Sequence, residues 1–536
     1  MKDVGGQRDS IFGGLTGAGD LLARNARYLG SKTGLVFGAK RFSWRETDAR
    51  ACRFANALGR LGVQRGERVG ICARNSHQWV EAAFALAKLG AVLVTVNCRL
   101  AEDEIAYILK DSGARGVITG AEEQEKVRSA AASCSELRLL ITIEAGAVES
   151  AEDYEILVAA ETEEEPRLLE PLRAEDPLML LYTSGTTGFP KGAIYTHGST
   201  LVGMFVHVHA IGSRGTHRVM LPSPLYSAAG MAGIYCAVYV GSTSVLLNFD
   251  ADAVLDTITR ERITFSNLVP TTIQRLLARE DLDRYDLSSL EVLLYGGSPI
   301  PLPVLRDAAA RLPSCGFRQT FASTETGCAG TVLEPREHAE ALENPALEQR
   351  LLSCGQAQIG VEVAVKDAEG CPVAAGEVGE IAVYTEANIA GFWNNPQASR
   401  EAIRDGWVYT GDMAYQDEDG FFYLVDRKKD LIVSGALNVY PSEVERVLHQ
   451  HPAVYEVAVV GVPSEEWGEE VKAVVVTQPD CSLAAQELID FCEGKLAGFK
   501  KPKSVDFADA LPRNPTGKIL RRQLREPYWA GHERRI

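Results

Sequence analysis

An apolar run that opens abruptly into hydroxyls and glycines constrains this chain more than any other stretch. Leu178, Met179, Leu180, Leu181 and Tyr182 form a short apolar run bounded by turn signals, which predicts a buried strand. Thr183-Ser184-Gly185-Thr186-Thr187-Gly188-Phe189-Pro190-Lys191-Gly192 follows directly. Gly185 and Gly188 permit positive φ, so that successive N–H groups can face one concavity. Thr183, Ser184, Thr186 and Thr187 add hydroxyl donors, and Lys191 adds a mobile point charge for phosphate oxygens. A phosphate-handling loop is expected. It is not a Walker loop, which carries Gly-Lys-Ser/Thr into a helix, because Pro190 precedes Lys191 and Gly192 follows it.

At 536 residues the chain exceeds what one core usually holds, so at least two domains are expected. A formal net charge of -17 argues against nucleic acid or an anionic membrane as the main partner and leaves a small ligand. The 11 cysteines are scattered without a C-x-x-C pair, which fits reduced thiols in a cytoplasmic protein rather than a disulfide framework or zinc site. Met1 to Ser10 lacks the apolar segment of a signal peptide. Val219 to Phe249 contains no charge and is long enough for a bilayer, but Pro222, Pro224 and Gly241-Ser-Thr-Ser244 interrupt it. It reads as strand, loop, short buried helix, turn and strand, with no transmembrane segment.

Between Phe42 and Ala121, helical patterns (47–61, 79–89) alternate with β-rich runs (68–72, 91–96, 116–119), which implies a parallel sheet covered by helices. The acidic stretch Glu161 to Pro166 reads as a solvated loop. The alternation resumes with strands expected at 218–221, 244–247, 263–268, 291–295 and 319–321, and helices at 271–277 and 303–311. From Gly379 short strands and turns take over, and beyond Asp426 a compact α/β unit of typical domain size is expected, with helices 442–448 and 484–496 and strands 454–462 and 471–476. The predicted fold class is α/β: a large N-terminal domain (1–426) of parallel α/β subdomains with a small β-rich subdomain, then a small mobile α/β C-terminal domain (427–536).

Four clusters accompany the loop in a fixed order. Tyr295-Gly296-Gly297-Ser298-Pro299 ends a strand with two glycines that let a planar ring approach the backbone. Thr320-Phe321-Ala322-Ser323-Thr324-Glu325-Thr326-Gly327 offers an aromatic face, hydroxyls and a carboxylate able to hold Mg²⁺. Tyr409-Thr410-Gly411-Asp412 and Asp426-Arg427-Lys428-Lys429-Asp430 supply a carboxylate and a guanidinium, and Asn514-Pro515-Thr516-Gly517-Lys518 presents a lysine on a turn. Taken together, from about Phe42 to Arg522, these motifs resemble the adenylate-forming superfamily in its acyl-CoA synthetase (carboxylate–CoA ligase) branch.

The resemblance implies a two-step reaction with ATP, Mg²⁺ and coenzyme A. A carboxylate attacks the α-phosphate of ATP to give an acyl-adenylate and pyrophosphate, and a thiol then displaces AMP. It implies that Thr183 to Lys191 cradle the β- and γ-phosphates, that Gly297 and Ser298 border the adenine, and that Thr320, Phe321 and Ala322 line the nucleotide, with Phe321 in place of a stacking tyrosine. Thr324 would meet the α-phosphate, Glu325 Mg²⁺, and Asp412 and Arg427 the ribose. Lys518 would bridge carboxylate and α-phosphate, with Lys191, Thr183 and Glu325 completing the catalytic set. Tyr226, Ser227, Gly296 and Ala322 would border the acyl pocket. A hinge at Lys429 would withdraw Lys518 and present Gly435-Ala436 to the thiol.

The pattern departs from the family at four positions: Phe321, Ala322, Ser227 where many members have histidine, and Ala436 where a second glycine is usual. Ala436 bears on the thioester step itself, so a stand-alone enzyme loading a carrier protein in trans is the alternative, and a non-catalytic nucleotide-binding protein the alternative of another class. The latter would be expected to lose Lys518 or Glu325, and both are present. No acidic residue occurs in Val219–Phe249 to meet a substrate ammonium, and no cation to meet a second carboxylate, so an apolar monocarboxylic acid is expected. Lys500, Lys501 and Lys503 are candidates for CoA phosphates against the plainer reading of a soluble loop. The larger assembly expected, if any forms, is a homodimer.

Overall fold

The computed structural model describes residues 15–143, 151–183, 190–434, 437–479, 481–513 and 519–530. They fall into two compact units, one of residues up to Val363 together with Val383–Thr410, the other of Ala364–Ala382 and the chain from Gly411 onward.

The first unit holds two sheets. The seven-stranded sheet runs Glu152–Asp153, Leu139–Ile143, Gly116–Gly120, Arg68–Cys72, Val92–Thr95, Pro177–Thr183, Lys191–Thr196, with parallel pairing up to its last strand. That last strand turns back antiparallel on Pro177–Thr183. The nine-stranded sheet has a parallel centre, Gly316–Ala322, Val292–Gly296, Phe265–Asn267, Arg218–Leu221, Thr243–Leu246, Thr33–Phe37, closed by antiparallel strands at both edges.

One apolar core spans both sheets. It joins Val69, Ile71 and Leu93 to Val219, Leu221 and Leu294 through the helices His77–Leu89, His197–Ala210 and Ala228–Val240. Phe84 and Tyr235 stand 5.0 Å apart, ring centre to ring centre, where two of these helices meet. Sequence sets where the helices begin. Ser76 accepts from the Trp79 N–H, Thr196 from that of Ser199, and Ser227 from that of Gly230, each satisfying a first-turn donor.

Val219–Phe249 folds as expected, with strand Arg218–Leu221, helix Ala228–Val240 and strand Thr243–Leu246. Among the described residues no helix is long and apolar enough to cross a membrane. The acidic stretch, by contrast, is more than a solvated loop. Glu163 pairs with Arg53, Glu161 with Arg60, and Glu165 with Lys88 at 2.6 Å, while Asn56 Nδ2 donates to the carbonyls of Thr162 and Glu164. The segment thus straps the helix Trp44–Arg60.

In the second unit, the hairpin of Val454–Ser464 and Gly468–Thr477 is flanked by Ile432–Ser434 and Leu437–Val439, and Ser504–Phe507 joins Gly468–Thr477 in parallel. Helices Pro441–Leu448 and Ala485–Phe491 bury Val444, Leu448 and Leu488 in the same core as Val457, Val459, Val471 and Val475 of the hairpin.

Candidate active site

The loop that organises the sequence is the connection of an antiparallel hairpin. Thr183 ends one strand and Lys191 begins the next, and the register sets them opposite each other. Both are half-buried. Ser184, Gly185, Thr186, Thr187 and Gly188 lie outside the described residues. The hairpin is anchored on both sides. The Tyr182 hydroxyl donates to Asp111 at 2.6 Å, and Trp393 N–H donates to the Gly192 carbonyl at 2.7 Å. The Lys191 ammonium stands 5.7 Å from the centre of the Phe392 ring.

Parallel pairing brings the next two motifs together, with Gly296 opposite Thr320 in adjacent strands. The two glycines answer different demands. A Cβ on Gly296 would lie 2.5 Å from the Thr320 carbonyl oxygen, so only glycine lets the strands keep their spacing. Gly297 adopts φ +77 with nothing within 4 Å of a built Cβ, a left-handed, open position. Ser298 is exposed beside it. Beneath them the buried Tyr295 hydroxyl donates to His338 Nε2 at 2.7 Å, and His338 Nδ1–H donates to the Glu334 carbonyl at 2.8 Å. Burial pushes His338 down to about 4, so the ring is neutral, as this pattern requires.

Phe321, Ala322, Thr324 and Glu325 are half-buried at and just beyond the end of strand Gly316–Ala322. The Thr326 hydroxyl ties the turn that follows, donating to the Ala329 carbonyl at 2.6 Å and accepting from Ser323 N–H at 3.1 Å. The Tyr195 hydroxyl donates to the Thr324 carbonyl at 2.6 Å, joining the hairpin to this turn, and Ile389 N–H donates to the Glu325 carbonyl. Among the described residues the Glu325 carboxylate has no ion-pair partner. This carboxylate is a hard oxygen donor, the chemistry Mg²⁺ takes. The described cluster with metal-ligand spacing, Asp48, Cys52 and Glu165, lies elsewhere and already holds the Lys88 ammonium.

A small apolar pocket adjoins this turn. Met179, Leu181 and Tyr195 of the hairpin, Thr200 and Met204 of helix His197–Ala210, Ala228, Met231, Ala232 and Tyr235 of helix Ala228–Val240, and Gly327 and Cys328 of the turn line it. No charged side chain is among them. Ser227 does not line it. Its hydroxyl donates to the Pro224 carbonyl at 2.7 Å and accepts from Gly230 N–H, so it serves as a helix cap where histidine is common in the family. Tyr226 beside it is buried, and burial pushes its phenol up to about 12.

Sequence reasoning missed Asn75, Tyr195, Thr200 and Met204. The last two lie one turn apart on helix His197–Ala210, which is apolar all round, so no face of it marks them in the sequence. Asn75, 3% exposed, accepts from Leu225 N–H at 2.8 Å and donates to the carbonyls of Ser223 at 2.9 Å and Leu247 at 3.0 Å. An isolated buried asparagine carries no sequence signal.

In the second unit, Asp412 and Arg427 are cross-strand partners, with Nε 2.5 Å from Oδ1, and Asp412 is buried. Lys429 is exposed in a single 3₁₀ turn, Lys428–Asp430. Asp426 accepts from Ser442 N–H at 2.7 Å, and burial raises its carboxyl above the usual range. Lys500 pairs with Glu443 at 2.8 Å and Lys501 pairs with Glu493, so two of the three candidate CoA lysines have carboxylate partners. Gly435, Ala436 and Lys518 lie outside the described residues.

Comparison with known proteins identifies the family. The AMP-binding enzyme family matches residues 22–393, and the AMP-binding enzyme C-terminal domain matches 443–518. A feruloyl-CoA synthase of Amycolatopsis sp is 36% identical over 516 residues, covering 96% of this chain and 99% of that protein. The long-chain-fatty-acid–CoA ligase FadD13 of Mycobacterium tuberculosis is 35% identical, covering 91% of this chain and 94% of its own. Among solved structures, the anthranilate CoA ligase AuaEII in complex with anthranoyl-AMP superposes with a TM-score of 0.84 at 29% identity, covering 96% of this chain and 97% of that one. The chain therefore belongs to the AMP-binding enzymes, in the acyl-CoA synthetase branch of the adenylate-forming superfamily, and is an AMP-forming acid–thiol ligase.

Proposed function

We propose that the chain activates an apolar monocarboxylic acid as its acyl-adenylate and transfers the acyl group to coenzyme A. The observation that carries this reading is the pocket beside Glu325, whose wall contains no charged side chain. A second carboxylate or an ammonium there would be buried without a partner, at a cost of several kcal/mol.

In the first step a carboxylate oxygen attacks the α-phosphorus and pyrophosphate leaves. In the second, the thiol sulfur attacks the acyl carbonyl and AMP leaves. Thr183 and Lys191 hold the phosphates at the mouth of the hairpin, and Thr324 meets the α-phosphate. Glu325 would hold Mg²⁺, which would supply positive charge to offset that of the leaving pyrophosphate. Gly297, Ser298, Thr320, Phe321 and Ala322 receive the adenine, Gly296 and Ala322 adjoin the acyl group, and Asp412 and Arg427 take the ribose hydroxyls. Lys518 stabilises the charge shared by the entering carboxylate and the phosphoryl group. Lys429 is the hinge, and Gly435 and Ala436 border the path of the thiol.

Acid-dependent ATP–pyrophosphate exchange, followed by CoA-dependent release of AMP, tests the reading over monocarboxylates and matching dicarboxylates. Exchange with monocarboxylates alone is expected. A dicarboxylate used as well as its monocarboxylate analogue overturns the substrate class, and no exchange with any acid by folded, ATP-binding protein overturns the reaction. The methyl group of Ala436 is small, so Ala436→Gly is expected to leave exchange unchanged and to keep or raise the CoA-dependent rate. Acyl-adenylate formation without acyl-CoA, together with transfer to an added carrier protein, favours carrier loading.

A further inference from the structure

The pocket beside Glu325 is apolar in composition, yet two of its side chains hold hydroxyls that nothing bonds. Thr200 is 3% exposed and Tyr235 1%, both line the pocket, and neither Oγ1 of Thr200 nor the Tyr235 hydroxyl has a hydrogen-bond partner among the described residues. A third hydroxyl of the same wall, that of Tyr195, is donated to the Thr324 carbonyl. The contrast is informative, because buried polar groups in folded proteins are nearly always paired and each exception calls for a cause. Valine at 200 and phenylalanine at 235 would fill the same space with no orphaned oxygen. Burial pushes the Tyr235 phenol up, so it stays a neutral O–H that can both donate and accept, as can the Thr200 hydroxyl. They come from the two helices that wall the pocket, His197–Ala210 and Ala228–Val240.

We infer that the acid carries a neutral hydrogen-bonding group, a hydroxyl or an ether oxygen, at the tip of its apolar skeleton, where the pocket has room for about one such oxygen, and that Thr200 and Tyr235 select for it. The inference rests on the reading of this pocket as the acyl site. A plain hydrocarbon offers the two hydroxyls no partner of its own, whereas an oxygenated skeleton pairs them. A site built to bond a substrate hydroxyl rejects the analogue lacking it more strongly than a hydrophobic pocket rejects one methylene.

The test is pyrophosphate exchange with matched acids: cinnamic, para-hydroxycinnamic and para-methoxycinnamic acid, and octanoic and omega-hydroxyoctanoic acid. Wild type, Thr200→Val and Tyr235→Phe are compared. Wild type is expected to favour an oxygenated acid over its hydrocarbon partner by about tenfold or more in kcat/KM, and each substitution to shrink that ratio by about three- to tenfold. In the ligand-free protein neither substitution should lower the urea midpoint, since neither removes a bond. The inference is overturned if the hydrocarbon is preferred in every pair, if both variants keep the wild-type ratio, or if the variants destabilise the free protein, which would mean that the hydroxyls are bonded internally. Absence of exchange with any acid sinks the ligase reading and this inference with it. Robust exchange that favours hydrocarbons sinks this inference alone.

Discussion

Replacing Gly296 and Gly297 separately by alanine tests whether the two glycines do different work. At Gly296 the new Cβ would sit 2.5 Å from the carbonyl oxygen of Thr320, a backbone atom of the neighbouring strand, where ordinary contact begins at 3.4 Å. The strands Val292–Gly296 and Gly316–Ala322 must part by roughly 1 Å, and overpacking of this kind costs about 1–3 kcal/mol. The displaced strand carries Thr320, Phe321 and Ala322, and a misplacement of that size costs on the order of 10²-fold in rate. At Gly297 a Cβ meets nothing within 4 Å, so the cost is only that of a left-handed backbone, about 1–2 kcal/mol. Asparagine tolerates that conformation, so Gly297→Asn should recover part of the loss, whereas Gly296→Asn should be worse than Gly296→Ala. Urea unfolding followed by tryptophan fluorescence gives the stabilities, and pyrophosphate exchange gives the rates. The reasoning fails if Gly296→Ala is no worse than Gly297→Ala in both measurements, or if asparagine at 297 behaves like alanine.

Three further outcomes are expected. Asn75→Asp should destabilise the protein more than Asn75→Ala, because a carboxylate would face the carbonyls of Ser223 and Leu247 that the amide now serves; the order of urea midpoints checks this. Lys518→Ala should slow adenylation by roughly 10²–10³-fold and spare thioester formation from preformed acyl-adenylate; equal loss in both steps would refute its assigned role. His197, His207 and His338 are held neutral by burial at about 4, against 6.5 for the free side chain, so the unfolded chain takes up more protons between these values. Stability present above the higher value should therefore fall as pH drops through the window, by up to about 1.4 kcal/mol per pH unit for each histidine. A urea midpoint that stays flat from neutral pH down to about 5 would contradict the neutral state of these rings.

Where backbone and burial point the same way, the sequence is easily read. Arg68–Cys72 and Arg218–Leu221 are strands with the expected bounds, since short apolar runs between turn residues have few other places to go in a parallel sheet. The helix expected over 484–496 stops at Phe491 because Gly494 takes a left-handed backbone, although the apolar spacing continues to Leu496. The antiparallel strand Lys191–Thr196 was not anticipated: a β/α alternation predicts a parallel neighbour, and only pairing in space sets Lys191 opposite Thr183. Asp412 and Arg427 were both named from their motifs, but their contact is a matter of strand register, which the motifs do not encode. The pocket wall was half legible. The uncharged stretch marked Ala228 to Tyr235, while Thr200 and Met204 sit on a helix so apolar all round that no face stands out.

The position of the site follows from the topology. In a parallel sheet every strand ends on the same edge, and ligands bind beyond the carboxyl ends. Gly296 ends and Gly297 follows Val292–Gly296, Phe321 to Glu325 close and follow Gly316–Ala322, and Tyr226 and the pocket helix follow Arg218–Leu221, three strands of one parallel run. The other sheet reaches the same edge through Asn75, which follows Arg68–Cys72 and bonds to Ser223, Leu225 and Leu247, all just past strand ends of the nine-stranded sheet. One amide thus ties together the carboxyl ends of strands from both sheets, next to the segment that leads into the pocket helix. The motifs dispersed along the sequence are there because strand ends are the places where a sheet offers free backbone and unpacked side chains to a ligand. Thr200 and Tyr235, the residues proposed to choose the acid, lie one layer deeper, on helices whose main task is to fill the space between the sheets.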